Sequence, residues 1–318
     1  MINLYIQNGN KVYEPVVEGD IMLTTQRFGS PGTLTFNVVK DGDIAFNEGD
    51  QVILKVDNVN VFFGFVFVKK RDKEQIIKVT AYDQLRYLKN KDTYVYTNKT
   101  ANQFVSLIAK DFNLNAGTLE NTGYRIPSRV EDNTSLFDMI QNALDLTLQN
   151  TGRMYVLYDD FGKLMLRSIA NMRLNLLIDE ETAENFDYTS SIDSDTYNRV
   201  KLIREDKETG KRDVYIVQDS KNINAWGVLQ HFDTLKEGEN GKAKANALLS
   251  LYNSKTRKLS IKNQLGDARV RGGSMVVVKL NLGDVSLQNL MLVESCKHVF
   301  KNGEHFMDLD LRGGEFNA

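Results

Sequence analysis

Cys296 and His298 are the side chains whose types and spacing come nearest to a catalytic pair. They lie two residues apart in a stretch with the pattern of a β-strand, so both point to the same face. A cysteine nucleophile needs a base within hydrogen-bond reach. Inside a strand, however, a lone cysteine is typically a small buried apolar side chain. We therefore expect Cys296 to pack and not to react.

The paired carboxylates also have plain structural interpretations. Asp308 and Asp310 alternate with apolar residues, which places them on the outer face of an amphipathic strand. The pair 159–160 fits a hairpin turn. The pair 180–181 is ordinary solvated charge at the start of a segment. None of these pairs predicts a metal site or a catalytic acid pair.

His231 and His305 are isolated in the sequence and are expected to be packing or surface residues. No two histidines have the helical spacing of a zinc-binding pair. Gly272 and Gly273 lack the strand–loop–helix context and the following lysine of a phosphate loop, so they predict a turn. The sequence thus predicts no catalytic residue, no cofactor and no metal.

Composition limits the class of protein. A chain of 318 residues, 42% hydrophobic and 26% charged, is typical of a globular protein with two or three domains. The net charge of -2 and the pI of about 6.0 give no basic field for nucleic acid. No apolar run approaches the ~18 residues of a membrane span. The N-terminus lacks a signal pattern, so we expect synthesis in the host cytoplasm, and the single cysteine excludes an internal disulfide.

The chemistry-bearing residues near the C-terminus fall within a succession of predicted strands and turns. Gly273 supplies a tight reversal before one strand, and Asn302–Gly303 predicts a hairpin of type I′. The predicted elements are a strand at 258–262, a turn at 271–274, strands at 275–280 and 290–300, a turn at 301–304 and a strand at 305–311.

The same succession occurs near the N-terminus. Residues 48–56 align with residues 272–280, which places Gly49 on Gly273 and keeps the apolar residues in the same phase. A one-residue shift would move each of those side chains to the wrong face. A long strand, a turn and a closing strand follow in both copies. We interpret this agreement as an internal duplication.

The long strand of the first copy, residues 59–68, is apolar on both faces. Such a strand must be covered on both faces, either by a helix of the same chain or by another subunit. Its apolar residues form a candidate subunit-interface strand: Val59, Val61, Phe62, Phe63, Phe65, Val66, Phe67 and Val68.

The segment between the two copies has helical signals. Thr100 and Gln103 form a capping box, a second helix starts near Thr134, and a hairpin follows it. The sequence therefore predicts an α+β, mainly β protein in four parts. These are a first β unit at 1–96, a small α+β insert at 97–170, a connecting segment at 171–195, and a second β unit with one helix at 196–318.

This order of elements resembles the baseplate hub proteins of contractile phage tails and of phage-like elements, the late-control D and gp27-like hub family. The resemblance is carried by a Thr-Ala-Asn-Gln-Phe-Val helix start at 100–105, Tyr-Asn-Arg-Val at 197–200, a Lys-Ala-Lys-Ala-Asn-Ala helix at 242–247, and Gly-Gly before the second core strand. It covers most of the chain and lies in the order of the elements.

The resemblance implies two tail-tube-like β-barrel units in one chain and a structural role without catalysis. It implies a homotrimer whose pseudo-six-fold ring joins the tail tube protein to a central spike or tip protein, among other baseplate proteins of the virion or tail-like particle. The insert is short, and we see no spike or lysozyme domain at either end. We therefore expect other proteins to supply the tip.

Two other classes remain open from the sequence. A tail-associated cell-wall hydrolase would need a nucleophile or paired acids in a cleft. A carbohydrate-binding β-sandwich would need exposed aromatic side chains in a groove, and Trp226 is the only tryptophan.

Overall fold

A computed structural model describes residues 1–40, 42–179, 181–182, 185–193, 195–205, 210–235, 240–281 and 286–313. The fold is mainly β with four α-helices among these residues, which confirms the predicted fold class. Two short 3₁₀ helices, Gln84–Lys89 and Ile169–Met172, add to them.

The elements of the first eighty or so residues are all strands: β1 (Ile2–Asn8), β2 (Lys11–Tyr13), β3 (Val17–Gln26), β4 (Thr33–Val39), β5 (Gln51–Val56), β6 (Val59–Arg71) and β7 (Ile76–Tyr82). The insert mixes strands and helices: β8 (Lys91–Lys99), α1 (Ala101–Asp111), β9 (Ala116–Leu119), β10 (Ile126–Ser135), α2 (Leu136–Thr151), β11 (Tyr155–Asp159) and β12 (Leu164–Ser168).

The remaining elements again are mainly strands: β13 (Arg173–Ile178), β14 (Asn185–Ser191), β15 (Arg199–Glu205), β16 (Arg212–Gln218), α3 (Ser220–Trp226), β17 (Gln230–Thr234), α4 (Gly241–Tyr252), β18 (Thr256–Leu265), β19 (Met275–Asn281), β20 (Ser286–Lys301) and β21 (Glu304–Gly313).

In the described part of the chain, thirteen strands form one continuous sheet that contains the same arrangement twice. The N-terminal unit has the order β3-β4-β7-β6-β5-β1, and the C-terminal unit has the order β14-β18-β21-β20-β19-β13. The last pairing differs, because β1 is antiparallel to β5 whereas β13 is parallel to β19. The strand order supports the internal duplication.

The registers of the two units agree as well. Val52 lies opposite Gly64 on β6, and the equivalent Val276 lies opposite Met291 on β20. Both long strands then carry a bulge at equivalent places, between Val66 and Val68 on β6 and between residues 293 and 295 on β20. A bulge re-aims a strand, so a shared bulge gives both units the same bend.

The turn before the core strand is also equivalent. Gly49 has φ of 92° and Gly273 has φ of 96°, a region that favours glycine. Each amide donates to the bulged strand, Gly49 to the carbonyl of Val66 and Gly273 to that of Val293, both at 2.8 Å. The hairpin at Asn302–Gly303 has positive φ at both positions, as its predicted type requires.

The insert begins earlier than predicted. Strand β8 crosses the expected boundary at residue 96 and pairs with β10 of the insert. Leu85, Leu88 and Tyr96 belong to the core formed with helices α1 and α2. These residues follow β7 closely in the sequence, so they were assigned to the first β unit. The alternation of a strand does not show which strand it pairs with.

Two further expectations about the second half were wrong. The segment 171–195 is not a simple connection, because β13 and β14 belong to the C-terminal unit. The described residues of the range 199–252 are not part of that unit's sheet. Strands β16, β15 and β17 form a separate small sheet covered by α4, with a core of its own around Val200, Leu202 and Leu248. The sequence did not predict β14, because most of its side chains are exposed and it therefore lacks the alternation of apolar and polar residues.

These boundaries predict how the insert behaves alone. A fragment of residues 84–170 keeps both strands of the β8–β10 pair, whereas a fragment of residues 97–170 loses most of β8 and the buried Leu85, Leu88 and Tyr96. We expect the longer fragment to give dispersed amide signals in NMR spectra and the shorter one to give collapsed signals. Equal dispersion from both fragments would show that β8 contributes little to the core.

Candidate functional site

The turn at 271–274 is wedged where the N-terminal unit, the insert and the C-terminal unit meet. The Gly272 amide donates to Thr25 Oγ1 of β3 at 3.0 Å. A Cβ on Gly272 would occupy the space of backbone atoms of Gln26 and Arg27. A Cβ on Gly273 would lie 2.7 Å from Val156 of the insert. Two adjacent glycines thus allow three parts of the chain to approach one another closely.

An ion-pair network crosses the same junction. Glu294, at the bulge of β20, contacts Arg27 Nε at 2.7 Å and Arg312 Nε at 3.1 Å. The Arg27 amide also donates to the Glu294 carbonyl at 2.9 Å. Side chains of both units are therefore held by one partly buried carboxylate, where charge-assisted hydrogen bonds are stronger than at an open surface.

Beside the turn lies a buried pair of carboxyl groups. Asp83 accepts hydrogen bonds from the amides of Gly32 and Leu85, at 2.8 and 3.0 Å. Asp159 accepts from Gln84 Nε2 and from the Gly162 amide, both at 2.8 Å. The sequence placed Asp159 in a hairpin turn; it is the last residue of β11 before that turn, and only 7% of it is exposed.

The environment raises the pKa of both carboxyl groups. Burial, followed by the nearby charge of Asp159, raises the pKa of Asp83 well above its usual range. Burial raises the pKa of Asp159 to about 6, against the opposing effect of its hydrogen bonds and of Arg271. Arg271 donates to the Asp159 carbonyl at 2.7 Å, and its guanidinium lies 4.6 Å from the Tyr158 ring centre.

Two carboxyl groups with raised pKa values can serve acid–base chemistry, but only next to a space that admits a substrate. The cavity between Asp83, Asp159 and Arg271 has a volume of about 20 Å³. That is room for about one water molecule. The geometry suits a structural junction and gives no substrate access.

The structure does bring Cys296 and His298 together. Cys296 Sγ lies 3.2 Å from His298 Nε2, yet that nitrogen lies 2.8 Å from the carbonyl oxygen of Val270. A carbonyl only accepts, so we assign the ring proton to Nε2. The other nitrogen, Nδ1, then accepts from Nε2 of His305 at 2.9 Å. The nitrogen that faces the sulfur is therefore no base.

Protonation equilibria agree with this assignment. Burial raises the pKa of the Cys296 thiol far above the range in which a thiolate forms. Burial, followed by the neighbouring His305, lowers the pKa of His298 to about 4. Both side chains are at most 1% exposed. A neutral thiol and a neutral imidazole lie in contact, which is the packing role expected from the sequence and lacks the activation that a nucleophile needs.

His298 predicts an acid-dependent loss of stability. Between about pH 6.5 and 4 the unfolded chain binds a proton that the folded chain excludes, so the free energy of unfolding falls as pH falls. At roughly 1.4 kcal/mol per pKa unit, the effect is on the order of 3 kcal/mol. We expect His298→Gln to flatten this dependence in thermal melts from pH 7 to 4.5.

His231→Gln is the matched control, because His231 packs between Tyr197 and Tyr252 away from this cluster. Asp83 and Asp159 have the opposite sign, since their raised pKa values lower stability as pH rises, for Asp159 between about 4 and its folded-state pKa of about 6. The comparison between variants removes their contribution. Parallel pH profiles for wild type and His298→Gln would contradict the assignment.

The remaining candidate carboxylates lie apart. Asp310 accepts from Ser260, and Asp308 pairs with Lys262 at 3.4 Å on the outer face of the sheet, as their alternation predicts. Glu181 is exposed, and Glu180 lies outside the described residues. Within the described ranges, no group of three histidine, cysteine or carboxylate side chains could hold a metal ion.

The candidate interface strand is divided between two environments. Val61, Phe62 and Val66 point into the core of the N-terminal unit. On the opposite face, Phe63 packs against Phe161 of the insert, with ring centres 5.6 Å apart. A part of the outer face is thus covered by the same chain.

Other members of this strand are more open. Phe67 contacts Tyr82 and Tyr87, at 5.3 and 6.0 Å between ring centres, while Val59 and Val68 are 57% and 48% exposed. The exposed members lie toward the two ends of β6. The sequence pattern predicted this strand, but only the structure shows which of its residues are buried and which are exposed.

Comparisons with known proteins bear on the role of this arrangement. The model of a protein family described as YQBQ-like matches residues 21–312. The chain belongs to the YQBQ-like family. Two relatives in Bacillus subtilis (strain 168) match 98% of the chain: the uncharacterized protein YqbQ is 32% identical with 96% of its length covered, and the phage-like element PBSX protein XkdQ is 33% identical with 97% covered.

Solved structures show the same fold. The prophage MuSo2 43 kDa tail protein from Shewanella oneidensis has a TM-score of 0.70 at 13% identity, with 97% of this chain and 98% of that chain covered. The E. coli c3393 protein has a TM-score of 0.61 at 10% identity, with 99% and 77% covered, and is described as a type VI secretion component similar to the T4 tail proteins gp27 and gp5. This member of the YQBQ-like family therefore shares its fold with these two proteins.

Sequence reasoning did not predict that the junction residues come together. Arg271, Asp83 and Asp159 are far apart in the chain and have ordinary local patterns. The sequence did contain one signal, the adjacent glycines Gly272 and Gly273. The turn requires a positive φ only at Gly273, so the glycine at position 272 has another reason. A second glycine beside such a residue indicates close approach of another backbone.

No helix within the described ranges has the length and apolar character needed to cross a membrane.

Proposed function

We propose that this protein is the structural hub of a contractile-tail baseplate, either in a phage or in a phage-like particle. Three copies form a ring with pseudo-six-fold symmetry, which joins the six-fold tail tube to a three-fold central spike. Other baseplate proteins attach around the ring. In this proposal the protein is made in the host cytoplasm and functions as part of the assembled particle.

The observation that carries the proposal is the repeated sheet unit. The N-terminal and C-terminal units share strand order, register, a bulge and a glycine turn. One chain can therefore offer two similar faces, and three chains can offer six. Head-to-tail contacts between such units close into a ring when the rotation per unit permits it. Obligate interfaces of this kind bury roughly 2,000 Å² or more.

The proposed division of the chain follows the sheet units. Residues 1–82 form the first tube-like unit, residues 83–172 the insert, and residues 173–191 together with 256–313 the second tube-like unit. The small sheet at 199–252 is inserted into the second unit. We assign ring formation to the two tube-like units and contacts with other baseplate proteins to the two insertions.

A reconstruction of the assembled particle tests the proposal. We expect three copies of the chain at the tail tip, with the two units alternating around a central channel. Six copies at that position, or two units at different radii, would overturn it. Native mass spectrometry of purified protein would show how much of the ring forms without the tube or the spike.

The proposed role requires no catalysis, and a substitution of Cys296 tests this prediction. We expect Cys296→Ser to lower the free energy of unfolding by on the order of 1–3 kcal/mol, because a hydroxyl is buried in place of a thiol. Assembly into particles should be unchanged. The chief competing function is cell-wall hydrolysis, and the 3.2 Å contact of Cys296 with His298 is the observation in its favour.

A zymogram on peptidoglycan separates the two functions. Activity of the purified protein that is lost in Cys296→Ser would establish the hydrolase. A carbohydrate-binding role has less support, since the single tryptophan, Trp226, is half-buried at the end of the short helix α3.

A further inference from the structure

The two sheet units also differ in what pairs with the far half of their long strands. In the C-terminal unit, β20 extends beyond β19 and its second half pairs with β3 of the N-terminal unit, from Ser295 opposite Gln26 to Phe300 opposite Ile21. In the N-terminal unit, β6 extends beyond β5 in the same way. Among the described residues, however, no strand pairs with residues 68–71 on that side. The edge of β6 thus lacks the neighbour that β20 has.

Strand β14 is the equivalent of β3 by its position in the sheet. In the N-terminal unit, Leu23 of β3 lies opposite Leu34, which lies opposite Ala81. In the C-terminal unit, Tyr188 of β14 lies opposite Leu259, which lies opposite Leu311.

The two strands differ in what lies on their outer side. β3 is covered there by β20, whereas β14 is the last strand of the sheet among the described residues. An exposed edge of this kind is a template for pairing with another chain.

We propose that β14 of one copy pairs antiparallel with residues 68–71 of β6 in a second copy, in the register that β3 adopts against β20. The pairing rests on the proposed ring and specifies its contact between chains. It places Val68 opposite Ser191 and Lys70 opposite Thr189. It ends at Arg71 opposite Tyr188, because β6 ends at Arg71.

The charges of the two edges are complementary. The β6 segment carries Lys69, Lys70 and Arg71 in succession. The β14 segment 185–193 carries Asp187 and Asp193 and no basic residue. In the proposed register Asp187 is the diagonal neighbour of Lys70 on the same face, within reach of its long side chain, and this opposite charge favours the pairing.

Apolar exposure at the two edges supports the same contact. Val68 is 48% exposed and Phe186 is 38% exposed, although both lie in strands of the main sheet. The pairing would cover Val68 and the open backbone groups, and Phe186 lies just beyond its last pair, Arg71 with Tyr188. The occupant is this chain itself, because its own β3–β20 contact already supplies the matching geometry.

The equivalence between the two contacts stops at the turn. Glu48 stands where the other copy of the unit has Gly272, so the turn before β5 cannot approach a neighbouring strand as closely as residues 271–274 approach β3. We therefore propose the strand pairing between two copies, but not a close contact between the turn before β5 and the second copy.

Disulfide trapping in assembled particles tests the pairing. Lys70 and Thr189 are both exposed, and facing residues of neighbouring strands are close enough for a disulfide when both are cysteine. We expect the double variant Lys70→Cys with Thr189→Cys to run as a covalent trimer on a non-reducing gel of purified particles. The matched control is Val59→Cys with Thr189→Cys, since Val59 is an exposed residue at the other end of β6.

The outcomes separate the pairing from the ring. A covalent trimer with the first variant and monomers with the control support the pairing. Monomers with both variants, in particles that a reconstruction shows to contain three copies, overturn the pairing and leave the ring. Equal cross-linking of both variants also overturns the register. Six copies in the reconstruction overturn the ring itself.

Discussion

Gly272→Val should destabilise the protein by more than about 3 kcal/mol, because the new side chain collides with backbone and not with a flexible group. The added Cβ would overlap main-chain atoms of Gln26 and Arg27 on β3. Overpacking of a well-packed core costs about 1–3 kcal/mol, and a backbone that cannot move away raises that cost. The two sheet units must separate to admit the side chain.

Chemical denaturation measures this effect. Gly42→Val is the control, because a Cβ at Gly42 meets no atom within 4 Å and its backbone is not in the left-handed region. We expect that variant to stay within about 0.5 kcal/mol of wild type. A Gly272→Val protein as stable as the control would show that the junction is looser than its geometry indicates.

Phe104→Ala should cost about 3–5 kcal/mol, the range for removing a buried aromatic side chain. Phe104 is fully buried in the insert, with its ring stacked on Tyr96 at 4.2 Å and edge-on to Tyr94 at 5.6 Å. The loss should fall on the insert, because its core is separate from the cores of the two sheet units.

Phe112→Ala is the matched control on the same helical stripe. Phe112 follows α1 and is only partly buried, so its removal should cost less than half as much. Hydrogen exchange followed by mass spectrometry locates the effect. Faster exchange confined to the insert is expected for Phe104→Ala, whereas faster exchange throughout the sheet would show that the insert and the units unfold together.

Local signals in the sequence determined several elements correctly. The capping box of Thr100 and Gln103 is present at the start of α1, and Gly152 ends α2 in the left-handed conformation. Asn302 and Gly303 form the predicted hairpin turn. Each of these features depends on hydrogen bonds and steric limits within a few residues, so neighbouring residue types suffice to predict it.

The duplication was also readable, since it needs only order and phase. The partners of each strand were not. β14 has few buried side chains, β8 joins the insert, and the strands at 199–234 form a sheet of their own. Strand pairing joins residues far apart in the chain, and several partners satisfy the same alternation of side chains.

The candidate site shows the same division between sequence and tertiary structure. Residue types identified Cys296 and His298 as a pair on one face, and spacing identified Gly272–Gly273 as a turn. Only the tertiary structure showed that His298 Nε2, which faces the sulfur, is hydrogen-bonded to the Val270 carbonyl. It also showed that Asp159 is buried beside Asp83. Burial and hydrogen-bond partners decide whether such groups react or hold the fold, and both depend on segments that meet only when the chain has folded.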